Sequence, residues 1–464
     1  MKLVQLSLVA ILVTGMAHAY DTPSIDGKIT HGDSVLEAIN DGDNTNGEIF
    51  GQARSFYVDR TYSGIVNNNR NSWAAGGYAG YMTPEYNGFS AAAAVYGTFS
   101  IDIHSMSPKD DFRDNGKWNS YDPSLFGLHG ENYAFIGQAY LNYKYENTNF
   151  KGGRLRLDTP LAGADDARML PNLFEAVVVS NTDIENTTLI GAHVFRETVG
   201  TFGNIYGGGA LGLTSGYGLG MNRALSGKFV NMGTVALGEA GVDGKANETA
   251  GVTALAAVYS GIEGLKLQAW DYIAWDILNA VYLQADYGYQ MNEEVKLFAA
   301  AQYINESDIG DMLAGSVDSN YVAGKVGVKY AGLTAYAAYS VTGDSNGAIN
   351  GGVITPWGGM PAFTQGMVTR HQFFANTDTW KVAATYNFKE YGLKASVYYT
   401  NFDVGAENQY VNGTAWTASE SGWDIQYKVA AVKGLSLRAR ANYPRDFKPG
   451  LDWDEYRLIV NYNF

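Results

Sequence analysis

The sequence predicts an all-β protein, a transmembrane antiparallel β-barrel of about eighteen strands. Three observations predict it. Hydrophobicity alternates with a period of two along most of the chain. Short polar turns alternate with long connections. The chain ends on Phe464, at the head of an alternating apolar face.

The last segment shows the alternation most clearly. Tyr456, Leu458, Val460, Tyr462 and Phe464 share one parity, and Glu455, Arg457, Ile459, Asn461 and Asn463 share the other. A strand with this pattern has one apolar face and one polar face. The same split places strands near 48–60, 72–82, 88–100, 132–145, 150–158, 173–181, 187–197, 250–260 and 265–273. It continues near 279–290, 294–304, 320–330, 333–342, 378–388, 392–403, 421–431, 434–443 and 454–464. These lengths suit the ~9–11 residues that a tilted strand needs to cross a bilayer.

A soluble sandwich also alternates, so the connections decide. Turns such as Glu146-Asn147-Thr148-Asn149, Asn292-Glu293 and Ala331-Gly332 are short and polar. Between them lie long stretches at 101–131, 159–172, 198–249, 305–319, 343–377, 404–420 and 444–453. Short turns on one side and long loops on the other are the pattern of a membrane barrel. Twenty strands is the rival count, because the Gly-rich stretch 198–249 has room for one more hairpin. Either count leaves an aqueous channel inside.

Composition fits an exported barrel. The 464 residues include no cysteine, 33 tyrosines, 56 glycines and 10 prolines. Disulfide scaffolds, thiolate metal sites and cysteine nucleophiles are therefore excluded. The formal net charge of −15 argues against a nucleic-acid coat, which needs clustered Lys and Arg. A mean hydropathy of −0.17 is too polar for a bundle of membrane helices. Met1-Lys2, the apolar run Leu3 to Met16 and Ala17-His18-Ala19 form a secretory signal pattern, with cleavage expected after Ala19. The expected organisation is a signal at 1–19, a periplasmic leader at 20–47 and one barrel domain at 48–464. The predicted location is a bacterial outer membrane. Tyr462 and Phe464, with Val460 and Leu458 behind them, resemble the terminal strand read by outer-membrane insertion machinery.

Gly153-Arg154-Leu155-Arg156-Leu157-Asp158-Thr159-Pro160-Leu161 is followed by Asp165-Asp166-Ala167-Arg168-Met169-Leu170-Pro171-Asn172-Leu173-Phe174-Glu175. This stretch resembles the most characteristic segment of the OprD-type outer-membrane porins of Gram-negative bacteria. Gly51 to Tyr57 resembles the family's first strand. Tyr259-Ser260-Gly261 through Tyr272, and Asp276 to Tyr282, resemble its middle strands. The sequence departs from the family in the loop 198–249 and in the leader 20–47. The resemblance implies an eighteen-stranded channel for small solutes, often bearing a carboxylate. It also implies that 159–172, the third extracellular loop, folds inward and narrows the channel. A ladder of basic side chains along the lumen is implied as well.

Strand parity tests that ladder separately. The polar faces carry Arg54, Lys144, Arg154, Arg156, Lys266, Lys296, Lys325, Lys329, Lys381, Lys394, Lys428, Arg438, Arg440 and Arg457. Their acids are fewer: Glu48, Asp158, Asp286, Asp424 and Glu455. A lumen of one sign in low-dielectric walls concentrates the opposite ion. Arginine can also grip a carboxylate through two parallel hydrogen bonds. The ladder candidates are Arg54, Arg154, Arg156, Lys381, Lys428, Arg438, Arg440 and Arg457. Arg154 with Arg156, and Arg438 with Arg440, lead among them, because each pair sits two residues apart on one face. For each of these residues, bracing of the wall stands beside guidance of a solute. Asp165, Asp166 and Arg168 either form a constriction or anchor the loop to wall arginines.

Other signals are weak. Asp41-Gly42-Asp43-Asn44-Thr45 begins like a calcium loop, but Asn46 and Gln52 occupy positions that need Gly and Glu. His31, His104, His129, His193 and His371 show no metal-ligand spacing. No cofactor, metal or catalytic set is expected, so the protein is not expected to be an enzyme. The functional expectation is a passive porin that prefers small anionic or carboxylate-bearing solutes, amino acids and short peptides among them. A wide, unselective diffusion porin is the alternative. The expected partners are outer-membrane lipid, lipopolysaccharide and the insertion machinery, with no nucleic acid. The barrel is expected to act as a monomer or a loose homotrimer.

Overall fold

Leu458 is 58% exposed and its neighbour Ile459 is 5% exposed, so the last strand has one face to the bilayer and one to the interior. The same alternation builds the whole wall of the computed structural model. The described residues are 47–66, 69–101, 113–114, 117–118, 121–127, 130–203, 225–238, 247–347, 349–359 and 361–464. The segment expected as an export signal, nearly all of the expected leader, the calcium-like run and His31, His104 and His129 lie outside them.

Eighteen strands form one closed antiparallel sheet. They are β1 (Glu48–Gly64), β2 (Asn69–Met82), β3 (Phe89–Ser100), β4 (Tyr133–Tyr145), β5 (Thr148–Leu155), β6 (Leu173–Asn181), β7 (Thr187–Thr198), β8 (Val252–Ile262) and β9 (Leu265–Ala274). Then come β10 (Leu278–Gln290), β11 (Val295–Asp308), β12 (Asp318–Tyr330), β13 (Leu333–Thr342), β14 (Thr377–Phe388), β15 (Leu393–Val404), β16 (Trp416–Lys428), β17 (Leu435–Arg445) and β18 (Leu451–Asn463). Each pairs with its neighbour in the chain. β1 pairs with β18 from Gln52↔Asn463 to Gly64↔Leu451, so the sheet has no free edge. The seam ends on Gly51 and Phe464, which exchange backbone hydrogen bonds of 2.8 and 3.0 Å. A Cβ on Gly51 would lie 2.6 Å from Phe464 Cζ, so glycine makes room for the terminal ring.

The count of eighteen holds because β7 pairs directly with β8, from Val252↔Val194 to Tyr259↔Thr187. No hairpin intervenes in the wall. The described parts of 198–249 contain a two-residue strand, Val230–Asn231, at the end of β7, and a short helix α1 (Met232–Leu237). Asn231 caps that helix by accepting from Gly233 N–H.

Side chains of the long connections pack against inner faces of the wall. Trp270, Tyr272, Tyr282, Ile304 and Tyr321, on inner faces of β9 to β12, pack with Leu161 and Ala162 of 156–172 and with Trp357, Phe363 and Phe373 of 343–376. Met169 and Leu170 pack instead with Phe56, Tyr96 and Ile459 across the barrel. The buried apolar area on these loops holds them against the wall at about 25 cal/mol per Å². The loop half of this apolar component was not legible in the strand pattern, because loops carry no period.

Candidate functional site

The strand register collects charge where β16, β17, β18 and β1 adjoin. Asp424↔Arg440, Arg440↔Arg457 and Arg60↔Glu455 are cross-strand neighbours. Asp424 takes both Arg438 and Arg440; Arg438 Nε donates to its Oδ1 at 2.8 Å, and Arg440 Nη2 lies 3.3 Å from its Oδ2. Glu455 takes three guanidiniums: Arg60 at 2.6 Å, Arg168 at 2.8 Å and Arg457 at 3.0 Å. Arg60 also meets Asp122 at 3.1 Å, and Arg457 donates to Asn442. All of these side chains are buried. Such pairs resist removal of one partner, which leaves an uncompensated charge at a cost of about 3–5 kcal/mol.

The connection after β5 is tied into this cluster. Asp166 receives Arg54 Nη1 at 2.6 Å and Nη2 at 3.0 Å, a two-pronged bond from loop to wall. Arg54 Nη1 also donates to the Arg168 carbonyl. Arg156 lies 3.5 Å from Asp158 and 3.6 Å from Asp166. Burial pushes the Asp166 carboxyl up, but Arg54 and Arg156 outweigh it and hold the group below its ordinary range. Asp158 has a weaker set of partners, and burial keeps its carboxyl above the ordinary range. Asp165, with φ of 36°, pairs with Arg370 of 343–376 at 3.1 Å. The far side of the loop reaches β9 and the second loop. Leu161 N–H donates to the Tyr272 hydroxyl at 3.4 Å, and Gly163 N–H to the Trp357 carbonyl at 3.0 Å. Loop 156–172 thus touches inner-face side chains of β1, β9 and β18.

Most of the sequence-predicted ladder residues sit on inner faces. Arg54, Arg438, Arg440 and Arg457 are in the cluster just described. Lys381 stands apart on β14, donating to the Gln365 carbonyl at 2.7 Å and lying over the Tyr398 ring. Lys428 is the last residue of β16, at its short-turn end. Arg154 departs from the expectation. The strand expected at 150–158 ends at Leu155, so Arg154 and Arg156 do not share a strand face. Arg154 has the parity of Phe150 and Gly152 and pairs in register with Glu175, which has the parity of the exposed Val177. Arg154 therefore belongs to the membrane-facing side of the wall. It pairs with Glu175 at 3.1 Å, while Arg156 turns inward from the start of the loop. The parity reading failed here because Arg, Gly and Asp made an apolar-facing register look polar.

Three charged participants were not singled out from sequence. Arg60 continues the parity of Arg54 and was findable. Asp122 and Arg370 sit on long connections, where no period marks the facing direction. Among the described residues no group of three or more His, Cys, Asp or Glu could hold a metal ion.

The model of the OprD family of outer membrane porins matches residues 46–200 and 226–464. The chain belongs to the OprD family. This OprD-family porin is an outer-membrane channel protein. A search of curated proteins finds no match. Solved structures share its fold at low identity. OccK9 (OpdG) of Pseudomonas aeruginosa is 19% identical, with a TM-score of 0.71 over 91% of this chain and 99% of that one. OpdK of the same organism, solved with vanillate, is 16% identical, with a TM-score of 0.68 over 90% and 98%. OccK2 (OpdF) of that organism, in complex with glucuronate, is 15% identical, with a TM-score of 0.68 over 91% and 99%.

Proposed function

We propose that this porin passes small water-soluble solutes by diffusion and prefers those that are anionic or carry a carboxylate. The observation that carries the reading is the sharing of carboxylates in the wall: Glu455 among three arginines and Asp424 between two. With Glu420 of β16 and Asp122 counted, the five arginines of this cluster (Arg60, Arg168, Arg438, Arg440 and Arg457) outnumber its four carboxylates, and a low-dielectric wall focuses that excess on the pathway. A passing carboxylate can exchange hydrogen bonds with arginines already arrayed for that group. Arg54, Arg156, Lys381, Lys428, Arg438, Arg440 and Arg457 form the guiding set, and Asp165, Asp166 and Arg168 hold the loop 159–172 as a narrowing of the lumen. Vanillate and glucuronate, each present with a structural relative, are carboxylates, which supports the class of solute.

The test is the reversal potential of the purified porin in a planar bilayer under a salt gradient. Anion preference is expected, and Arg440→Glu should shift it toward cations. Block of the steady conductance by a small monocarboxylate is expected as well. A second reading, an unselective diffusion pore, is favoured by the engagement of most guiding arginines with wall or loop carboxylates. Cation preference, or selectivity that Arg440→Glu leaves unmoved, overturns the guided pathway and returns this second reading.

A further inference from the structure

The outer surface of β4 to β8 carries an amphipathic feature unrelated to the lumen. Gly152 on β5 and Gly191 on β7 open a slot in the membrane-facing wall, because neither has a side chain to fill it. Leu141, Phe150, Val177 and Leu255 border the slot, which holds about 590 Å³. A Cβ on Gly152 would lie 3.4 Å from Val177 Cγ1, an ordinary contact, so the opening is not forced by the backbone. Toward the extracellular side, two residues beyond Gly152, stands Arg154; two residues beyond Val177 stands Glu175. That step is about 7 Å along a strand.

Arg154, Glu175 and Arg196 are neighbours in register on β5, β6 and β7. The Arg154 side chain is 36% exposed and that of Arg196 is 59% exposed. Glu175 lies 3.1 Å from Arg154 and 3.4 Å from Arg196, so one carboxylate serves two guanidiniums. Arg154 also donates to the Ile136 carbonyl at 2.9 Å and lies 4.4 Å from the centre of the Phe229 ring, which fix it in place. Phe195, the extra residue of the bulge opposite Glu175 and Ala176, is exposed beside His193. Aromatic side chains at this level mark the membrane interface.

The order along the wall is apolar slot, aromatic interface, then cationic pair on the extracellular side. We propose that this face binds one phosphorylated, acylated lipid of the outer leaflet. An acyl chain fills the slot between Gly152 and Gly191, and a headgroup phosphate sits on Arg154 and Arg196. The excess positive charge lies beyond the apolar slot on the long-loop side, where guanidiniums can take phosphate oxygens in pairs. A second copy of this chain is a poorer fit, because a flat β-wall has no anionic feature with an apolar tail to match the slot and the cationic tip together.

The experiment uses the full porin refolded in detergent and native mass spectrometry. The probes are diphosphorylated lipid A, its dephosphorylated form and inorganic phosphate. One copy of diphosphorylated lipid A is expected to remain on the wild type. Arg154→Gln with Arg196→Gln should weaken retention by about a hundredfold, the loss of two charge-assisted contacts at about tenfold each. Gly152→Leu should weaken it too, by filling the slot, whereas Arg196→Lys should largely keep it. Single-channel conductance of every variant should match the wild type, which shows that each barrel is folded. Equal retention by the wild type, the double variant and Gly152→Leu overturns the site. So does equal binding of the dephosphorylated lipid, or full displacement by inorganic phosphate, which would make it a site for the free anion. A change in subunit number on Gly152→Leu, without a change in lipid, would assign the face to self-association instead.

Discussion

Asp166 and Arg54 join the third extracellular connection to the first strand of the barrel through two hydrogen bonds of 2.6 and 3.0 Å. The two residues are 112 positions apart, and both are buried. The pair is a clasp: if it opens, the loop loses its hold on β1.

Asp166→Asn should therefore loosen the loop. It leaves the Arg54 guanidinium buried without its main counter-charge, a loss of about 3–5 kcal/mol for an uncompensated buried ion. Thermal unfolding in detergent should occur at lower temperature, and single-channel current should become larger or noisier. Arg54→Met with Asp166→Leu should recover much of the stability but not the wild-type conductance, since an apolar pair packs without fixing the same geometry.

Acid should open the same clasp. The folded Asp166 carboxyl is held below its ordinary value, so its stabilisation is complete above the unfolded value of about 3.9. It is lost as pH falls through the lower folded value, because the unfolded chain then binds the proton more readily. Asp158 acts in the opposite sense: burial raises its carboxyl, so its contribution declines as pH rises from about 3.9 through the raised value. Unfolding midpoints measured from pH 2 to 6 on the wild type and on Asp166→Asn should differ in slope below about pH 4.

His371, on the connection 343–376, is fully enclosed by aromatic rings, and its Nε2 donates to the Phe447 carbonyl at 2.6 Å. Burial pushes its pKa down to about 3, although the bond to Phe447 partly opposes this. The ring stays neutral in the folded barrel while the unfolded chain takes up a proton below about 6.5. Stability should thus fall as pH drops from 6.5 toward 3, at up to about 1.4 kcal/mol per pH unit. His371→Phe should flatten that slope in acid denaturation curves and leave the neutral-pH midpoint little changed.

Glu455→Gln removes the carboxylate shared by Arg60, Arg168 and Arg457. Thermal stability should drop by about 3 kcal/mol or more, as for other buried partners removed alone. The same change raises the positive charge of the lumen, so the bilayer reversal potential should move toward anions. A shift toward cations would show that the cluster does not set the field along the pathway.

Much of the wall was legible in the sequence. The period of two reports, residue by residue, which side chains face lipid and which face the interior, because each strand meets apolar lipid on one side only. The eighteen segments, the short turns and the position of 159–172 as the third connection on the long-loop side follow from that local rule. The place of Arg154 did not, because a run of Phe150, Gly152, Arg154 and Arg156 carries too little hydrophobic contrast to reveal its face, and the strand stops at Leu155.

What only the tertiary structure decided is which charges meet. Parity can place Arg54, Glu455 and Asp424 on inner faces, yet it says nothing of partners. Closure of β1 onto β18 brings Arg60 to Glu455, which are 395 residues apart. The loops then deliver Asp166, Arg168 and Arg370, whose directions have no period to read. A local pattern is determined by the solvent on each side of one strand. A buried ion pair is determined by the distance between strands and loops after the barrel has closed, and no single segment contains that distance.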